Sequence, residues 1–333
     1  MSDSEAFAFW ITGRETGEIR IEALEPLTSD MVRVETYFSA ISRGTESLVW
    51  RNEVPASQID AMRAPFQVGR FPAPVKYGYI AVGRVIDGPE GVRGRDVFCL
   101  HPHQTRFQVP ADMAVPLPEG LPSDRAVLAA NMETAVNACW DAAPVLGERI
   151  AVVGAGVVGC LVAYLVAQLP GIRVALIDPL EEKREIADAL GLAFRTPDEA
   201  RTAEGACDLV FHASGNPAGL AQALDLAGLE GRIVEMSWYG DRVVPLPLGE
   251  AFHSRRLHLI SSQVGRLPAH RQARWSHRAR MSLALDLLRD PVLDALITGE
   301  DRFEDLPHVM GPVAADARVL CHRIRYGNGT GGA

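Results

Sequence analysis

The chain is poor in cysteine, and the cysteines it has stand alone. Cys99, Cys139, Cys160, Cys207 and Cys321 are scattered through 333 residues, odd in number and never spaced as CxxC. Such a set builds no disulfide framework, and it fits reduced thiols in a cytoplasmic compartment. The chain also lacks an unbroken apolar run of about 18 residues, so no membrane span is expected. The stretch Met1 to Trp10 has no basic region followed by a long apolar run, so no secretory signal is read there. Positive charge is in deficit as well: 33 Lys and Arg against 42 Asp and Glu leave a formal charge of −9, which argues against a general nucleic-acid binder. There is no internal repeat.

Apolar residues make up 47% of the sequence, enough for two domains to bury a core each. The most informative stretch runs from Ala151 to Asp178. A short run of β-branched and small residues (Ile150, Val152, Val153) stops at Gly154-Ala155-Gly156-Val157-Val158-Gly159. A helical apolar pattern follows through Leu161, Ala163, Leu165 and Val166, then a second strand from Arg173 to Ile177, then Asp178. Strand, glycine turn, helix, strand and acid in this order and length predict a dinucleotide site. Gly154 permits the tight turn. Gly156, with the backbone of Val157 and Val158, lets a pyrophosphate approach a helix N-terminus, where unpaired N–H groups and the helix dipole favour an anion. Gly159 lets the helix lie close to the sheet. Asp178 can accept from both ribose hydroxyls of NAD and would repel a 2′-phosphate. Lys183 and Arg184 follow closely and could instead meet the phosphate of NADP. A purely structural glycine turn is the alternative to the whole reading.

Residues 1 to about 118 read as β-rich, with alternating runs such as Met31 to Tyr37 bounded by Pro, Gly and Asp. The stretch 50–74 carries Pro55, Pro65, Pro72 and Pro74 without a period, and reads as an irregular loop, either at a functional edge or simply on the surface. From Leu121 the pattern turns to α/β alternation. Ser123 caps one expected helix, Met132 to Ala143 forms a second, and Asp208 to Ala213 is a buried strand ending at Ser214-Gly215-Asn216-Pro217. Ala218 to Ala227 reads as a helix, Arg232 to Met236 and Leu257 to Ser261 as further strands, giving a doubly wound parallel sheet. The end of the chain, 327–333, is low in complexity and expected to be disordered.

A β-rich first part, a dinucleotide fold and a returning C-terminal segment resemble the medium-chain dehydrogenase/reductase superfamily. Ile41-Ser42-Arg43-Gly44-Thr45-Glu46 is similar to its Cys-Arg-(Ser/Thr)-Asp segment, and Tyr77-Gly78-Tyr79-Ile80-Ala81-Val82-Gly83 to its Gly-His-Glu-x-x-Gly segment. Ala206 to Pro217 is similar to the strand and turn that meet the nicotinamide ribose, which assigns Ser214 and Gly215 to the cofactor. The wording around Ser42 to Glu46 resembles the bacteriochlorophyllide a dehydrogenase-like branch. The resemblance implies an α/β protein with a GroES-like β-rich catalytic domain over residues 1–130, completed by 265–326, and a Rossmann NAD-binding domain over 131–264. It implies a homodimer or homotetramer, and hydride transfer between NAD(H) and an alcohol/carbonyl pair in the interdomain cleft. Arg43 and Arg318 match basic residues that meet the cofactor pyrophosphate, although either could form a surface ion pair instead.

The zinc ligands of the superfamily are missing. Ser42 and Tyr79 stand at two ligand positions, Ile80 stands at the acid after the His, and Cys99 is the one cysteine between residues 84 and 118, where the structural zinc lobe would need four. Neutral hydroxyls are poor zinc ligands, so no zinc is expected. His101 and His103 alternate on a strand-like stretch and read as surface or cleft histidines. Without a metal, Tyr79 is the expected hydrogen-bond or proton donor to the substrate oxygen, with Ser42 orienting it. Glu133 is the rival acid or substrate anchor. Residues 266–280 hold five Arg, two His and Trp275 without an acid, and read either as a wall attracting an anionic small-molecule substrate or as a solvated face or subunit contact. Two alternatives accompany this reading: reduction of an activated C=C bond, and a non-catalytic NAD(H)-binding redox sensor.

Overall fold

A computed structural model describes residues 5–327. The tail expected to be disordered lies, after Gly327, outside the described residues. The chain divides into two units, Met1–Ala130 with Met281–Ala333, and Asn131–Arg280.

In the first unit β1 (Glu5–Gly13) and β2 (Thr16–Ala23) pair antiparallel. β3 (Met31–Ile41) is the long strand of the unit, and its first seven residues alternate half-buried and buried, as a sheet with one apolar face requires. Helix α1 (Arg43–Trp50) follows directly. The proline-rich stretch after it is irregular apart from one 3₁₀ turn and the two-residue strand β4 (Val68–Gly69). Then come β5 (Val75–Lys76), β6 (Ala81–Asp87), β7 (Asp96–Cys99), β8 (Arg106–Pro110) and β9 (Val115–Pro116). Val32, Val34, Val85, Val97, Phe107 and Val109 form one apolar core in this unit.

Where two helices were expected between Ser123 and Ala143, the 3₁₀ turn Ala126–Leu128 runs straight into a single helix, α2 (Ala129–Ala142). Ala129, Ala130, Asn131 and Met132 are all buried, so no solvated break separates the turn from the helix. The second unit continues with β10 (Arg149–Val153), α3 (Val157–Ala167), β11 (Arg173–Ile177), α4 (Arg184–Ala189), β12 (Ala193–Arg195), α5 (Pro197–Ala203), β13 (Cys207–His212), α6 (Pro217–Leu226), β14 (Ala227–Glu235) and β15 (His258–Ser261). All six strands are parallel, in the order β12-β11-β10-β13-β14-β15. The winding reverses beside β10, so the crevice at the carboxyl ends of β10 and β13 is the topological switch point where ligands of such sheets bind.

The return to the first unit begins at Met281, inside α7 (His277–Leu287), not at 265. Residues 265–280 are held to the second unit, chiefly by Arg280, which reaches Glu133, Asn137 and the Val264 carbonyl. After α7, β16 (Ile297–Arg302), α8 (Leu306–Ala315) and β17 (Cys321–Arg325) complete the first unit. β17 lies antiparallel to β3, with Ile324 opposite Ser39, so the end of the chain supplies an inner strand of the larger sheet. Phe9, Trp50, Phe303, Met310 and Ile324 form its second core. No helix among the described residues is long and apolar enough to cross a membrane.

Candidate active site

The glycine turn of the second unit has the geometry its sequence predicts. Gly154 adopts φ +109°, and a Cβ there would lie 2.7 Å from Ser214 Cα, so a side chain would be strained and would push the two strand ends apart. At Gly159 a Cβ would come within 1.9 Å of the Gly154 carbonyl oxygen, and only glycine lets α3 start this close to the turn. Gly156 caps α3 with open space around it, leaving the N–H groups of Val157 and Val158 at the helix entrance without a covering side chain.

Asp178 ends β11, buried. Its Oδ2 accepts from the Ala155 N–H at 2.8 Å and from Lys183 Nζ at 3.1 Å, and its Oδ1 from the Leu180 N–H at 3.0 Å. A carboxylate accepts about four hydrogen bonds, so these three donors leave room for about one ligand hydroxyl, where two were expected. Lys183 is buried on Asp178, and Arg184 reaches Glu181 at 2.6 Å and Glu199 at 3.4 Å. Both side chains offered as the alternative phosphate partners are therefore engaged within the unit.

In the first unit Ser42 and Tyr79 come together. Ser42 is the N-cap residue of α1, buried, and its N–H donates to Glu46 Oε1 at 2.8 Å. Tyr79 is half-buried, edge-on to Tyr77 with centroids 6.1 Å apart. Burial, with the charge of Glu46 behind it, pushes its phenol up to about 12, while contacts from the Ser42 and Thr45 hydroxyls pull the other way. Behind this pair lies a network that the sequence alone did not reveal. Glu46 Oε2 lies 2.9 Å from His103 Nε2, His103 Nδ1 lies 2.7 Å from Ser39 Oγ, and Ser39 Oγ lies 2.9 Å from the Tyr326 hydroxyl. Every member is buried, so their polar atoms partner one another in place of water.

The two histidines read as surface or cleft residues are both interior. His101 stacks on Phe107 with centroids 4.0 Å apart, and burial pushes its imidazole down to about 3. Among the described residues no group of three His, Cys, Asp or Glu side chains is placed to hold a metal ion.

Glu133 lies in the second unit, apart in the chain's division from Tyr79 and Ser42. Its Oε1 accepts from Arg280 Nε at 3.1 Å, and both side chains are buried. Burial raises its carboxyl even against the neighbouring guanidinium. The pair is an internal tie between α2 and α7, so the carboxylate expected as an acid or substrate anchor is engaged by Arg280. Asp316 is gripped by Arg318 and feels the charge of Arg43. Arg318 grips Asp316 with a forked contact of 2.8–3.2 Å, and this contact, the Arg318 N–H and the charge of Arg43 hold Asp316 down to about 2. Arg318 therefore makes the surface ion pair that was its alternative. In the basic stretch, Arg280 is withdrawn inside, Trp275 packs on Trp140 at 4.8 Å, and Arg271 lies over Trp140 at 5.5 Å with its Nε unpartnered.

Together the two units define a class: the chain has the fold of the medium-chain dehydrogenases/reductases, with a GroES-like β-rich unit and a Rossmann unit. L-idonate 5-dehydrogenase of Escherichia coli K-12 matches it with a TM-score of 0.79 at 16% identity, covering 96% of this chain and 98% of that one. Other structures of this fold were solved with NADH or with NADP. In sequence the chain is similar to a zinc-type alcohol dehydrogenase-like protein of Haemophilus influenzae, 26% identical over 60% of this chain and 57% of the relative. It is also similar to 2-dehydro-3-deoxy-L-galactonate 5-dehydrogenase of Pseudoalteromonas atlantica, 28% identical over 48% of this chain and 49% of the relative. The matches thus span about half the length of these curated relatives. No family model matches the chain.

Proposed function

We propose that this chain is an NAD(H)-dependent oxidoreductase that transfers hydride between nicotinamide and an alcohol/carbonyl pair without a catalytic zinc. The observation that carries the reading is the glycine turn at the switch point of the parallel sheet, with Asp178 closing its far side. An acid at that position, with Lys183 and Arg184 already engaged, favours NAD over NADP. The nicotinamide supplies the hydride chemistry when bound. The protein's own part is to hold the cofactor, orient the substrate and handle one proton at the substrate oxygen.

A zinc does not fit the donor set at the ligand positions. Ser42 offers a neutral hydroxyl, burial pushes the Tyr79 phenol up to about 12 and favours its neutral form, and Glu46 is occupied by His103 and the Ser42 N–H. No step here is routed through a metal. In carbonyl reduction Tyr79 donates its proton toward the developing alkoxide, and Ser42 fixes the phenol's direction. The substrate class favoured is a small hydroxy or keto acid. The exposed arginines of 266–280 suit an anion, and one relative is by name a sugar-acid dehydrogenase.

Fluorescence titration with NADH and NADPH tests the reading. Tight NADH binding, with NADPH much weaker and D178A narrowing the difference, is expected. A preference for NADPH would move the ribose contact away from Asp178, and binding of neither would withdraw the enzyme reading in favour of a fold without its cofactor.

A further inference from the structure

At the carboxyl end of β13 a chain of hydrogen bonds leads from the interior to the switch-point crevice. His212, 0% exposed, sits directly opposite Glu235 in the parallel register of β13 and β14. Its Nδ1 lies 2.8 Å from Glu235 Oε2, and its Nε2 lies 2.6 Å from Ser214 Oγ. The Tyr239 hydroxyl donates to Glu235 Oε2 at 3.1 Å, and the Ser237 N–H donates to Oε1 at 2.7 Å. A Cβ on Gly219 would lie 2.6 Å from Ser214 Oγ, so glycine at this point of α6 is what leaves room for the serine–histidine contact. Ser214 is exposed and packs against Gly154 of the fingerprint, so the outer end of the chain opens where that turn does.

The polarity of the chain follows from its inner end. Burial pushes the Glu235 carboxyl up, but His212 and Ser237 outweigh it and hold the group below the ordinary carboxylate range, so Glu235 is an acceptor. It takes the Nδ1–H of His212, and Nε2 on the other side of the ring holds Ser214 Oγ. The Asn216 N–H, at 3.1 Å, donates to the same Oγ. Two of the hydroxyl's hydrogen-bonding sites are thus fixed by the protein, and what remains is offered to a ligand from one direction.

We propose that His212 and Glu235 are positioning residues that hold the Ser214 hydroxyl in one direction toward a ribose hydroxyl of the dinucleotide. This rests on the dinucleotide reading of the second unit. The titratable and charged groups around the ring are Glu235 on β14 and Tyr239 in the segment after it, whose ring carries Arg242 at 6.0 Å. β10 presents Val153 and α6 presents Gly219, neither of which is charged.

The test is NADH affinity, followed by fluorescence, in the wild-type chain, S214A, H212N and the double variant. S214A should bind about fivefold more weakly, the worth of one hydrogen bond. H212N should lose a similar factor, and the double variant should bind no more weakly than S214A, because the histidine acts only through the serine. Ser214 is exposed, so S214A keeps the test meaningful even if H212N folds poorly. Losses that multiply in the double variant, or an S214A that binds as the wild type does, overturn the proposal. A wild type that binds no NADH overturns the dinucleotide reading itself.

Discussion

In the proposed mechanism Tyr79 handles the proton at the substrate oxygen, and its surroundings set its pH behaviour. Burial and the nearby Glu46 favour the neutral phenol, so Tyr79 is a donor throughout the neutral range. Alcohol oxidation needs the opposite form, so kcat/KM for oxidation should keep rising with pH to about 10 without a plateau. Y79F should lower turnover about a hundredfold while leaving NADH affinity unchanged. Equal turnover in Y79F, measured by nicotinamide absorbance, would remove the phenol from the mechanism. His101 makes a separate prediction about stability. Its native pKa, about 3, lies below the unfolded value, so the unfolded chain binds the extra proton as pH falls. The stability it contributes is complete above about pH 6.5 and is lost progressively down to about pH 3, at up to about 1.4 kcal/mol per pH unit. Urea unfolding of H101F should show a flatter loss across that window, and an unchanged slope would contradict the assignment.

Helix α3 depends on the glycine at its first turn. G159A places a methyl against the Gly154 carbonyl, so the turn must open, and NADH affinity should fall more than tenfold in a chain whose circular dichroism is unchanged. Helix α2 depends on the Glu133–Arg280 tie. R280M leaves a buried carboxylate without its cation and should cost about 3–5 kcal/mol in urea unfolding, whereas E133Q keeps a polar partner for Arg280 and should cost less. The segment before α7 makes a functional prediction. R271A with R274A should raise KM for an acidic substrate several-fold more than for a neutral alcohol, and equal effects on both would reduce the stretch to a solvated face.

Across the whole molecule, the legible features were those written in local sequence. The turn from Gly154 to Gly159, Asp178 at the end of β11 and the Ser214-Gly215 turn each lie within one βαβ unit, where spacing alone fixes geometry. Ser42 and Tyr79 drew notice because they stand where a known motif has other residues, and the structure places them in contact. What escaped were partners set by tertiary pairing: His103 with Glu46, Tyr326 with Ser39, Arg280 with Glu133 and His212 with Glu235. Apolar periodicity assigns a buried face but does not say which distant polar group shares it, so the histidines read as surface or cleft residues and Glu133 as an acid or substrate anchor. The boundary at 281 escaped for the same reason, since it depends on where Arg280 finds its partners. The central claim is hydride transfer that uses hydroxyls in place of a metal. Its most direct test is NADH oxidation by chelator-treated protein with a panel of small keto acids and ketones. Turnover that is indifferent to chelator and to added zinc, and that falls about a hundredfold in Y79F, is the predicted result. Turnover that vanishes on chelation and returns with zinc would contradict it.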